Sequence, residues 1–154
     1  MGLIYAGIEL INTHDLEMVR RGYMDQDEVK RMHINVLVDT GSIMMAINEN
    51  IQQTLQLPVV GRKTAQLANG QRVECDLVSS LEVRFKNRTA YCSAMVLPDD
   101  SEPLLGAIPL EEMDVIIHPQ RQELMVNPDS PDMAMVKMKK NMPCLEPDES
   151  FLAA

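Results

Sequence analysis

The chain has 154 residues, enough for one domain with a sizeable core, and its 45% hydrophobic and 24% charged residues are a globular balance, not a disordered one. A formal net charge of -9 argues against nucleic acid and against an anionic membrane surface, both of which bind basic faces. Aromatic residues are only 3% and tryptophan is missing, so the core is expected to rest on aliphatics and on an unusual thirteen methionines.

The apolar start, Met1 to Ala6, lacks a basic flank and is interrupted by Glu9, which makes it a poor signal peptide. Gly2 invites myristoylation, but Ala6 stands where that motif needs Ser or Thr. No apolar run approaches the roughly 20 residues of a membrane span, so no membrane partner is expected. Cys75, Cys92 and Cys144 are odd in number with no C-x-x-C spacing, which fits reduced thiols in a cytoplasmic protein. His14, His33 and His118 show no metal-ligand spacing with them, so no zinc site is expected.

In chain order, Leu3 to Ile11 reads as a strand, His14 to Arg21 as a polar, mildly helical stretch closed by Gly22, and Asp25 to Glu28 as a solvated acidic turn. From Val29 a second strand, expected to pair with the first as a hairpin, runs through Ile34-Asn35-Val36-Leu37-Val38 into Asp39-Thr40-Gly41-Ser42. A carboxylate beside a buried strand is costly unless hydrogen-bonded or used. A hydroxyl and the N–H groups of a tight turn can hold it, and Gly41 permits positive φ and close backbone approach.

Ile43 to Ile47 reads as a buried strand. Asn48 caps a helix whose Ile47, Ile51 and Leu55 share one face, and Pro58 stops it. Thr64 to Val78 is a hairpin around Asn69-Gly70, the type I′ turn pair, with arms polar enough to stand partly free of the core. Leu81, Val83 and Phe85 alternate with Glu82, Arg84 and Lys86, a half-buried strand, and Asn87-Arg88 turns it into Thr89 to Leu97. An acidic loop, Pro98 to Pro103, leads to Leu104-Leu105-Gly106 and a short helix with Pro109 in its first turn, ending at Met113. Val115 to Ile117 and Leu124 to Val126 form a last hairpin. Residues 128–154 read as a flexible tail largely outside the domain, with Met133 to Met138 able to add one strand.

Asp39-Thr40-Gly41-Ser42 taken alone also fits an ordinary strand followed by a turn. The Asp-x-Gly-Ser/Thr phosphate loop of actin-like ATPases is a third reading, disfavoured because that architecture needs two large lobes.

The order of motifs is more specific than any one of them. A strand ends in Asp39-Thr40-Gly41-Ser42, a helix and an Asn-Gly hairpin follow, and two aliphatics with a glycine precede a short helix. Across about residues 29–127 the chain resembles the retroviral-type (retropepsin-like) aspartic proteases, particularly their small bacterial single-domain relatives. That resemblance implies an all-β, closed-barrel acid-protease fold with one or two short helices, over residues 1–127, with 1–28 as an N-terminal extension hairpin. It implies a homodimeric endopeptidase acting on peptide or protein substrates without metal or cofactor. Asp39 would be catalytic and pair with its twin. Thr40 would brace the partner loop, Gly41 would permit the turn, and Ser42 would support the carboxylate. Leu67, Ala68, Asn69, Gly70 and Gln71 match the flap, and Leu104, Leu105 and Gly106 the second glycine motif. The flap tip is shorter and less glycine-rich than in viral enzymes. Both termini depart from the viral pattern, which leaves the segment sealing the dimer unassigned. A dimeric peptide-binding or assembly module with weak or no hydrolysis is the alternative.

Overall fold

A computed structural model describes residues 2–138. Strand β1 (Tyr5–Asn12) pairs antiparallel with β2 (Arg31–Val38), Ile8 opposite Ile34, so the expected N-terminal hairpin is present. Between them lie helix α1 (Thr13–Arg20), capped by the Asn12 side chain, and a short 3-10 turn at Gln26–Glu28. Next come β3 (Met45–Asn48), α2 (Glu49–Leu55), β4 (Val59–Gln66), β5 (Arg72–Phe85), β6 (Arg88–Leu97) and β7 (Leu104–Leu105). Helix α3 (Ala107–Met113) and the hairpin β8 (Val115–His118) and β9 (Glu123–Val126) complete the order. The described residues hold three short α-helices, where one or two were expected.

Strands β1, β2, β7, β3, β6 and β5 follow one another around the sheet, and β5 pairs back onto β1 to close it. Closure removes the free edges of the core sheet. One irregularity makes it possible. The register of β5 slips between Val78 and Leu81, and Ser80 there adopts φ 64. Such a bulge bends a strand and increases its twist. Before it β5 pairs with β4, and after it Leu81 to Arg84 pair with β1. The sequence reading cut β5 into two strands at this point.

Strand β4 lies outside the closed barrel, pairs with β5 alone and is exposed along most of its length. The core inside the barrel is aliphatic: Leu10, Val36, Ile47, Leu55, Val83 and Leu105 are among its fully buried members. Methionine contributes less to it than the composition suggested. Among the described residues only Met45 and Met113 belong to the buried core.

The segment after β9 does not leave the domain at once. Ser130 is buried, its hydroxyl donates to Asp114, and its carbonyl accepts from the buried Arg88 guanidinium. The Met135 N–H donates to the same Asp114 carboxylate at 2.9 Å. Met133 to Met138 form no strand, since Asp114 takes up the Met135 N–H and no sheet edge is paired there. Residues 139–154, Cys144 among them, lie outside the described residues.

Candidate active site

Strand β2 delivers Asp39 to the end of the barrel. β7 runs parallel to it, Val38 opposite Leu105, and the Asp39 N–H donates to the Leu105 carbonyl at 3.0 Å. The half-buried carboxylate is then held by its own turn. Gly41 N–H donates to Oδ1 at 3.0 Å and Ser42 Oγ to Oδ2 at 2.9 Å. The Ser42 support read from the sequence is therefore present.

Gly41 does not have the positive φ that was expected of it; among the described glycines only Gly22 and Gly70 do. The close approach also expected of it accounts for this glycine, because a Cβ there would lie 3.2 Å from Asp39 Oδ1.

The second glycine motif locks the first. Leu105 is fully buried, and half-buried Leu104 sits between β2 and β3. Helix α3 then starts against the Asp39 turn. Ala107 N–H donates to the Ser42 carbonyl at 2.7 Å and Ile108 N–H to the Ile43 carbonyl at 2.9 Å. The first N–H groups of a helix have no partner within it, and here the carboxylate loop supplies two. The close fit demands glycine: a Cβ on Gly106 would lie 2.2 Å from the Met44 carbonyl oxygen.

A cleft of about 590 Å³ opens beside this turn, lined by Gly41, Ser42, Met44, Met95, Leu104, the β4 residues Lys63 to Gln66 and the following Leu67, among others. Its size suits a substrate site. The β4–β5 hairpin thus lies along the cleft, as a flap would. Leu67 reaches the lining, whereas Ala68, Asn69, Gly70 and Gln71 form an exposed tip beyond it.

The tip is not the expected type I′ turn. Gly70 has φ 83 while Asn69 keeps a negative φ, and Leu67 and Gln71 are joined by an N–H to carbonyl bond across a three-residue loop. Three-residue loops place a single left-handed residue before the returning strand. Asn69 contributes through its side chain, which accepts from Gln71 N–H at 2.9 Å.

Thr40 is exposed and turns away from the cleft, toward an apolar hollow of about 400 Å³ lined also by Ala107, Leu110, Val115 and Leu124. Among the described residues no thiol competes with Asp39 as the reactive group. Burial raises the Cys75 thiol, and burial with the nearby Glu112 charge pushes Cys92 up to about 12, so neither offers a thiolate near neutral pH. Among the described residues one group of three acidic side chains, Asp25, Asp27 and Glu28, is close enough to share a cation; all three are exposed and outside the cleft lining.

Sequence reasoning missed Lys63, which carries no motif, and the Arg88–Asp114–Ser130 cluster. The turn-forming residues Asp114, Asn127 and Ser130 flanking the last hairpin were the available signal for that cluster.

Residues 27–112, more than half of the chain, match the family described as "gag-polyprotein putative aspartyl protease". The match takes in Asp39 to Ser42, the β4–β5 hairpin and Leu104 to Gly106, and leaves β1, α1, β8 and β9 outside. No curated protein matches the chain.

Proposed function

Since the chain belongs to the retroviral-type aspartyl protease family, we propose that it is an aspartic endopeptidase whose site forms between two copies, each lending one Asp39. The observation that carries this reading is a carboxylate held on both oxygens by Gly41 and Ser42 at the side of a cleft of substrate size. Each chain supplies one such group, and the chemistry needs two.

Two carboxylates about 3 Å apart cannot both ionise, so the pair shares one proton. The ionised member takes a proton from a water lying between them, and that water attacks the peptide carbonyl. The protonated member hydrogen-bonds the carbonyl oxygen. The proton gained from water then passes to the leaving amine as the C–N bond breaks. In this reading Thr40 braces the partner's loop, and the β4–β5 hairpin closes over the bound peptide.

Hydrolysis of an unstructured protein such as reduced casein tests the proposal. Wild-type protein should cut it, a statine-type transition-state mimic should block the cutting, and Asp39→Asn should abolish it while the fold is kept. Cleavage that survives Asp39→Asn, or that statine leaves untouched, would contradict it. Peptide binding without hydrolysis by wild type would favour the assembly-module alternative.

A further inference from the structure

One charged residue lines the cleft. Lys63 is alone in this among Ile43, Met44, Met95, Leu97, Leu104, Ile108 and the other wall residues. Alternation along β4 separates it from its neighbour Arg62, whose guanidinium lies 3.8 Å from Glu74 and 3.9 Å from Asp76. The cleft-facing Lys63 has no carboxylate within 4.0 Å among the described residues. Its Nζ lies 3.9 Å from the Met44 sulfur, two residues beyond Ser42, so the ammonium reaches from the hairpin arm to the carboxylate loop.

Most other cations of this acidic chain already have partners. Lys30, Arg31 and Arg84 sit beside Asp15, Glu9 and Glu82, for example. An ammonium without a counter-ion, set in an apolar wall, discriminates between incoming side chains by charge. It attracts a carboxylate and repels another cation, and a peptide that covers it strengthens both effects by excluding water.

We propose that Lys63 is a specificity-determining residue and that the cleft selects peptides carrying an acidic side chain close to a large apolar one. The carboxylate pairs with Lys63, and the apolar side chain lies on the wall made by Met44, Met95 and Leu104. The methionines can adapt to several apolar shapes, so the sharper selection falls on charge. This inference rests on the reading that the cleft holds a peptide.

The test uses the full chain and a random dodecapeptide library. Cleavage sites of the wild type are read by mass spectrometry, and peptides retained by Asp39→Asn are sequenced in parallel, so that preference is also seen without cutting. The best peptide is then made with Glu, Gln or Lys at the selected position. Wild type should prefer Glu over Gln, and Gln over Lys, by about two- to fivefold per step, the range of an exposed ion pair. Lys63→Glu should reverse the order, and Lys63→Met should flatten it, both with an unchanged circular dichroism spectrum. No cleavage by wild type overturns the peptidase reading, whereas the retained peptides still report on Lys63. Retained or cleaved peptides without acidic enrichment, or an order unchanged in Lys63→Glu, overturn the assignment of Lys63.

Discussion

At Gly106 the backbone leaves no room for a side chain. A methyl group would sit 2.2 Å from one carbonyl oxygen and 2.8 Å from another, both belonging to the turn that carries Asp39. Backbone cannot swing aside as a long side chain can. Gly106→Ala should therefore cost about 3 kcal/mol or more, read as a lowered urea midpoint, and should abolish activity with it. Gly61→Ala is the control, since nothing lies within 4 Å of a Cβ there, and it should leave the midpoint almost unchanged. Ser42→Ala tests a finer contact. Its hydroxyl donates to Asp39 Oδ2 at 2.9 Å, and a hydrogen bond to a charged group is worth about 1.5–3 kcal/mol. Turnover should fall about tenfold or more, with little change in melting temperature. An undiminished kcat would mean that Ser42 only closes the turn. These residues were legible in the sequence because their chemistry is unusual at a strand end. The reason for Gly106 was not, because a 2.2 Å approach between segments about sixty residues apart leaves no local mark.

Among the elements, the β4–β5 hairpin was legible from Asn69-Gly70, but its turn type was not. Two-residue and three-residue loops share that dipeptide, and strand register decides between them. The observed loop needs positive φ at Gly70 alone. Gly70→Val should therefore distort the tip and cut turnover severalfold while thermal stability falls little, since β4 stands outside the barrel. A cooperative loss of fold would place the hairpin in the core and contradict the proposal that it acts as a flap. The bulge at Ser79-Ser80 was invisible because serine pairs mark loops as often as bulges; only the pairing of β5 with β1 gives it meaning. The prolines and methionines after β9 show no period and read as tail. Side-chain bonds hold the described part as far as Met135, and Asp114 is their centre. Hydrogen bonds from Ser130, then Asn127 and the Met135 N–H, hold its carboxyl down at about 2, against an ordinary 3.8. A depressed carboxyl stabilises the folded state above its unfolded value and loses that contribution as pH falls. Wild type should accordingly lose stability between about pH 4 and pH 2, and Asp114→Asn should lose less across that window. Equal acid slopes in urea titrations of the two proteins would remove Asp114 from this role.

For the molecule as a whole, barrel closure depends on a strand outside the family match. β1 pairs with both β2 and β5 and buries Leu10 and Ile11 completely. A fragment beginning at residue 27 should thus fail to unfold cooperatively, although it retains every motif residue. The strands were legible from their alternation, but the barrel was legible only through the family resemblance that the order of motifs carries. The sequence could not say that the first strand meets the fifth, a contact set by closure and not by local pattern. The proposed site is shared between two copies, and one titration addresses it. Asp39→Asn chains are mixed with wild-type chains in rising proportion, with subunit exchange followed by native mass spectrometry, and peptidase activity is measured at each ratio. A mixed pair holds one carboxylate and one amide and cannot serve as both acid and base. Activity should follow the square of the wild-type fraction, so that an equal mixture keeps about one quarter of the pure rate. A linear decline, with about one half remaining at equal proportions, would mean that each chain carries a complete site, and would contradict the account.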